Sequence, residues 1–170
     1  MRIVAISGSL SRGSANSRVL QQAAASASDV QIQVWDSLGR LPLFSPDREA
    51  DAPVASLRAA VAGADAVWFA TPEYAGGMPG ALKNALDWLV GSGELYGKRV
   101  VVSSAAPSLQ RGHNARRWVE EVVRMQGAEV VDSFGLAVPP GLDDAHLEPE
   151  AARAFERVRL ALGGDGTRVR

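Results

Sequence analysis

Ile3-Val4-Ala5-Ile6-Ser7-Gly8-Ser9-Leu10-Ser11-Arg12-Gly13-Ser14-Ala15-Asn16, with Val19, Leu20, Ala23 and Ala24 beyond it, is the stretch on which the fold turns. Ile3 to Ile6 is apolar without a break, as expected of a strand covered on both faces. The polar residues Ser7 to Ser17 end it. The spacing of Val19, Leu20, Ala23 and Ala24 then predicts a helix with one apolar side. Strand, polar turn and helix in that order open a βαβ unit.

The same alternation continues along the chain. Val30, Ile32 and Val34 alternate with Gln31 and Gln33, the pattern of an edge strand buried on one face. Val54, Leu57, Ala60 and Val61 predict a short helix capped by Gly63. Ala66 to Ala70 reads as the third strand and Arg99 to Ser103 as the fourth. The fifth starts at Ala128 to Val131, bends near Asp132-Ser133 and resumes at Phe134. A helix over Ala81 to Val90 sets Leu82, Ala85, Leu86 and Leu89 on one face. The next is expected to start at an Asn114 N-cap and to turn Trp118, Val119, Val122, Val123 and Met125 inward. Its pairs Arg116–Glu120 and Arg117–Glu121 fall on the wet side at i,i+4 spacing. Pro149, at a first-turn position, opens the last helix, with Phe155, Val158 and Leu162 facing in. Five strands alternating with five helices predict a doubly wound α/β sandwich. One domain over residues 1–162 and a loose tail over 163–170 are expected. Such folds bind ligands beyond the carboxyl ends of their strands, at the topological switch point, which directs attention to the loops after strands one, three and four.

Composition narrows the chemistry. The chain has 170 residues, 18 Lys plus Arg against 19 Asp plus Glu, no Cys and 2 His. A charge of −1 is not the basic surface with which nucleic-acid binders displace counterions. Without cysteine there are no disulfides, thiolate metal sites or dithiol chemistry. His113 reads as a loop or first-turn residue and His146 as solvated; two histidines are too few for most metal centres, and no metal is expected. The apolar run at the N-terminus is far shorter than a secretory signal, and no stretch approaches the roughly 20 apolar residues of a membrane span. The expectation is a cytoplasmic protein with neither nucleic-acid nor membrane partners.

In the first loop Ser9, Ser11 and Ser14 offer hydroxyls, Asn16 an amide and Arg12 a planar fork, all before a helix N-terminus that favours an anion. Capping alone needs fewer polar groups. Neither Gly-x-x-x-x-Gly-Lys-Ser/Thr nor Gly-x-Gly-x-x-Gly occurs, so a monophosphate fits better than a nucleoside triphosphate or a dinucleotide. The loop Pro72 to Gly80 has one charge, Glu73, one aromatic, Tyr74, and three glycines. Side chains this small expose backbone to a planar partner such as an isoalloxazine edge, or they simply turn the chain. Trp35, Trp68 and Trp118 read as packing, whereas Trp88 is a candidate for a subunit interface. Lys83 and Asp87 form an i,i+4 surface pair.

Together, Gly8-Ser9-Leu10…Ser14-Ala15-Asn16 and Thr71-Pro72-Glu73-Tyr74-Ala75-Gly76-Gly77-Met78-Pro79-Gly80-Ala81-Leu82-Lys83-Asn84-Ala85-Leu86-Asp87-Trp88-Leu89 closely resemble the NADPH-dependent FMN reductase family. Leu41-Pro42-Leu43-Phe44 and the fourth-strand region resemble it as well, so the likeness covers about residues 1 to 138. It implies a flavodoxin-like fold with parallel strand order 2-1-3-4-5. It implies that Ser9, Arg12, Ser14, Ala15 and Asn16 hold the phosphate of FMN. Pro72, Glu73, Tyr74, Ala75, Gly76 and Gly77 would border the ring, with Ser104 joining them from the fourth-strand loop. Many relatives carry Arg where this chain has Ser11, and Asn where it has Ala75. The implied activity is ping-pong: NADPH or NADH passes hydride to the flavin N5, and a quinone, azo dye, metal oxyanion or free flavin then takes the electrons. No side chain is assigned a catalytic role, because the cofactor carries the chemistry. Arg12, Arg40, Arg48 and Arg111 are candidates to meet a 2′-phosphate, and a homodimer or homotetramer is implied. The rival readings are a flavodoxin-like electron carrier, a flavin-free regulatory domain, and FMN as a diffusing substrate.

Overall fold

The structure, a computed structural model, describes residues 1–163. Its strands are β1 (Arg2–Ser7), β2 (Gln31–Trp35), β3 (Ala66–Ala70), β4 (Arg99–Ala106) and β5 (Glu129–Ala137). Its helices are α1 (Ala15–Ser26), α2 (Ala52–Gly63), α3 (Gly80–Val90), α4 (His113–Met125) and α5 (Asp144–Gly163). A 3₁₀ turn, Leu38–Arg40, follows β2. All strand pairs are parallel, in the order β2-β1-β3-β4-β5. The switch point lies between β1 and β3, in the strand order that the family resemblance implies.

Two cores follow from strand alternation. Val4, Ile6, Val67, Phe69, Val100 and Val102 face α2, α3 and α4. Ile3, Ala5, Trp68 and Val101 face α1 and α5. β3 is buried along its whole length, and its Trp68 donates from Nε1 to Ser103 Oγ on β4 (2.8 Å). β2 alternates toward solvent, as its edge position requires. The expected bend in β5 is a bulge: Val100 pairs with Val130 but Val101 with Asp132, so Val131 is the extra residue.

Several element ends differ from expectation. α5 starts five residues before Pro149, because Asp143 caps it by accepting from the His146 amide at 2.9 Å; Leu147 is thereby buried, and Pro149 lies inside the helix. His146 is exposed, in the first turn of α5. α4 starts at His113 with Gly112 as N-cap, so Asn114 is already helical. Its buried stripe is Ala115, Val119 and Val123, which leaves Trp118 and Met125 outside, 45% and 69% exposed. Arg116, expected in solvent beside Glu120, is buried, and Glu120 pairs with Arg124 instead (3.0 Å); Arg117–Glu121 forms as expected, at 3.7 Å. Trp88 is core: its Nε1 donates to Pro42 O (2.9 Å) and Phe44 meets its ring edge-on at 5.1 Å. β4 runs to Ala106, so Ser104 belongs to the strand. Gly63 is the last residue of α2 and Ala64 its C-cap. The tail expected over 163–170 lies outside the described residues except for Gly163, which ends α5.

Candidate functional site

The β1–α1 turn delivers α1 with its first amides free. Arg18 N–H is the first to reach a carbonyl of the turn, Ser14 O at 3.0 Å. The amides of Ala15, Asn16 and Ser17 therefore have no helical acceptor, and none is present elsewhere among the described residues. Ser14, the N-cap, makes no side-chain cap bond, so its hydroxyl is uncommitted. Ser9 Oγ accepts from the Ser11 amide (3.2 Å), and Ser17 Oγ donates to Ser7 Oγ (2.7 Å), which braces the turn from within. This donor set suits a phosphate at the helix end.

Asn16 differs from expectation in how it can serve. Its buried side chain donates from Nδ2 to Ala105 O (3.1 Å) and accepts the Ala105 amide on Oδ1 (2.8 Å). The carboxamide thus ties α1 to β4, and what Asn16 offers a ligand is its backbone N–H. Arg12 lines a hollow beside β2, together with Ser9 and Ser11 of the same turn.

After β3, Tyr74 and Gly77 exchange two backbone bonds of 3.0 Å, closing a hairpin turn over Ala75 (φ 50°) and Gly76 (φ 78°). Positive φ at both central residues is the signature of a type I′ turn, which glycine adopts freely and alanine does not. Gly77 lies under Trp118: a Cβ there would stand 2.7 Å from the indole. That contact explains why Trp118 sits outside the core. Glu73 accepts from the Asn114 amide (3.1 Å), so its carboxylate caps α4 at a position its own helix leaves unfilled. Tyr74, half exposed, places its hydroxyl 3.3 Å from Ser9 Oγ, and this contact joins the two loops.

The third wall follows β4. Pro72, Glu73, Gly76, Ala105, Ala106 and Pro107, with Arg111 and Gly112, line a cleft of about 360 Å³. Ser104 lies beneath it, fully buried, its hydroxyl accepting from Arg116 Nη1. Gly112 must be glycine twice over, since it has φ 82° and a Cβ would fall 2.4 Å from Ser104 Oγ. Burial pushes the Arg116 guanidinium below its ordinary range, although Glu120 and Glu73 oppose the shift. Arg116 makes no ion pair among the described residues. The sequence gives one signal for it: Arg116 stands three residues before Val119 and seven before Val123, on the same helical face. Of the other arginines considered, Arg48 pairs with Asp51 at 3.5 Å.

A doubly wound parallel sheet with a free-amide helix end beside a small-residue cleft at its switch point places the chain among the open α/β proteins, whose ligands bind beyond the carboxyl ends of the strands. More closely, residues 1–143 match the NADPH-dependent FMN reductase family, and the chain belongs to it. It is 41% identical over 91 residues to a 2-hydroxy-1,4-benzoquinone reductase of Burkholderia sp., covering 52% of this chain and 49% of that one. It is 35% identical over 128 residues to a quinone reductase of Pseudomonas putida strain KT2440, covering 70% and 67%. The chain thus spans about half the length of the Burkholderia relative. Among solved structures it resembles FerB, a flavoenzyme NAD(P)H:(acceptor) oxidoreductase of Paracoccus denitrificans, with TM-score 0.71, 23% identity and 92% of each chain covered. That likeness concerns the fold.

Proposed function

We propose that the protein is an NAD(P)H-dependent reductase that holds FMN at the switch point and passes electrons to a small acceptor such as a quinone, azo dye, metal oxyanion or free flavin. The observation that carries this reading is the junction of two donor sets: uncommitted amides at the start of α1 and the tight 74–77 turn, joined by the Ser9–Tyr74 contact. The chemistry of the donors fits the group. The amides of Ala15, Asn16 and Ser17 with the side chains of Ser9, Arg12 and Ser14 would hold its phosphate, and Pro72, Glu73, Tyr74, Ala75, Gly76 and Gly77 would border its ring. Ser104 would support that border from below. Bound there, FMN supplies hydride acceptance and onward electron transfer.

The protein's part is to bind, orient and leave one ring face open. Small side chains at positions 75–77 permit a planar second substrate. Asn16 holds α1 against β4, so the two halves of the seat keep their spacing. The half-exposed Trp118, with Met125 and Val122 beside it, supports a homodimer or homotetramer built on the outer face of α4. Among the described residues no helix is long and apolar enough to cross a membrane.

The test is anaerobic spectroscopy. FMN should bind with its fluorescence quenched, and NADPH or NADH should bleach the yellow complex, with colour returning on addition of a quinone. Protein that binds FMN but resists bleaching is an electron carrier. Protein that leaves FMN fluorescence untouched is neither.

A further inference from the structure

Arg116 is the one charged side chain buried among the described residues, 9% exposed, and no carboxylate of those residues stands within 4.0 Å of it. Its guanidinium makes a single hydrogen bond there, from Nη1 to Ser104 Oγ, a neutral acceptor. Two glycines give it room: a Cβ at Gly112 would stand 3.6 Å from Nη1, and one at Gly135 3.2 Å. The charges that act on it are each engaged elsewhere. On its own helix Glu120 pairs with Arg124 (3.0 Å), and on the β3–α3 loop Glu73 accepts from the Asn114 amide (3.1 Å). On α5, Arg157 pairs with Asp132 (2.6 Å).

A buried charge without a counter-ion costs folding free energy, and an apolar side chain of similar length would suit the site better. Packing therefore gives no reason for an arginine here, and its charge is the property left to explain. Ser104 lies beneath the cleft that follows β4 and Gly112 lines it, so the guanidinium stands directly behind the wall of that cleft. Arg111 lines the cleft too, with no carboxylate within 4.0 Å among the described residues. Two positive charges against Glu73, beside the N-terminus of α4, leave the cleft net positive. In so buried a setting that field is felt farther than in water. An oxidised isoalloxazine is neutral. Hydride brings it two electrons and one proton, so the ring carries a negative charge until a second proton arrives from water.

We propose that Arg116 is a positioning residue, which from behind the Ser104–Gly112 wall favours the reduced, anionic form of bound FMN and so raises the flavin's midpoint potential. The inference rests on the reductase reading above and adds the side chain that sets how readily the bound flavin is reduced.

The experiment measures, anaerobically, the dissociation constants of oxidised and reduced FMN for wild type and Arg116→Gln at about pH 7. Arg116→Met, a neutral side chain that suits burial, is the second variant and keeps the comparison readable if the first fails to fold. In the neutral variants the ratio of the oxidised to the reduced constant should fall at least about tenfold, through weaker binding of the reduced form. That fall lowers the midpoint potential of bound flavin by about 30 mV, which a dye-coupled titration reads independently of turnover. Arg116→Lys, which keeps the charge at this pH, should hold the wild-type ratio. A ratio that falls by less than about tenfold in the neutral variants overturns the proposal, because equal weakening of both forms is the mark of a structural role. A ratio lost as fully in Arg116→Lys overturns it too, since shape rather than charge would then matter. If the wild-type protein binds FMN in neither state, the reductase reading falls. If FMN binds and is reduced but the ratio is indifferent to position 116, only the role of Arg116 falls.

Discussion

Ala75 is the one non-glycine residue with positive φ among the described residues, at 50°. The left-handed region strains alanine by about 1–2 kcal/mol, whereas asparagine tolerates it through local hydrogen bonding. Ala75→Asn should therefore raise unfolding stability by about 0.5–1 kcal/mol, read as a higher urea midpoint at constant slope. Ala75→Val, β-branched, should lower it by a similar amount. A lower midpoint for the Asn variant would mean that the turn is not of this type. Nothing in an alanine announces this conformation, and the strain appears only once Tyr74 and Gly77 are known to pair. Asn16 was legible as a polar residue at the start of α1, but the bond that occupies its side chain was not: its partner, Ala105, is 89 positions away and offers only backbone.

At the scale of elements, β1, β3 and β4 could be read from the chain because continuous apolar runs have few other homes in a molecule this small. α4 was harder. Its stripe and its margin are both apolar, and only the contact with Gly77 tells that Trp118 covers a loop rather than the core. The bulge in β5 was visible only as a polar interruption. Its purpose lies in the fold: Asp132, just beyond it, accepts two bonds from Arg157 on α5 (2.6 and 2.8 Å), and that guanidinium stacks 4.5 Å over Phe134. The Arg157 bonds hold the Asp132 carboxyl below its ordinary value of 3.8, against a smaller opposing effect of burial. A depressed carboxyl contributes stability above its unfolded value and loses it as pH falls through the folded one. Asp132→Asn should accordingly be less stable than wild type at pH 7, with the gap closing as pH falls below about 3.8. Urea titrations at pH 7 and in acid measure this, and a gap that stays constant on acidification would sink the account.

Across the whole molecule, the site is assembled from the ends of three strands, and Asn16 is the side chain that ties α1 to β4. Asn16→Ala leaves both the N–H and the C=O of Ala105 without this partner in a buried setting, where each unmet group costs about 1–3 kcal/mol. The loss should appear in protein without flavin, as a lower melting temperature. FMN at a hundred times its Kd should still add about 2.7 kcal/mol if the variant binds it unimpaired. A variant as stable as wild type, yet defective in FMN binding, would make Asn16 a ligand contact rather than a tie.

The carboxylate of Glu73 gives the loop between β3 and α3 and the start of α4 a common fate. Should that loop swing away, the first turn of α4 loses its cap while Trp118 loses the glycine it rests on. Widening of the cleft mouth and fraying of α4 are then a single motion, and hydrogen exchange at the Asn114 amide keeps time with it.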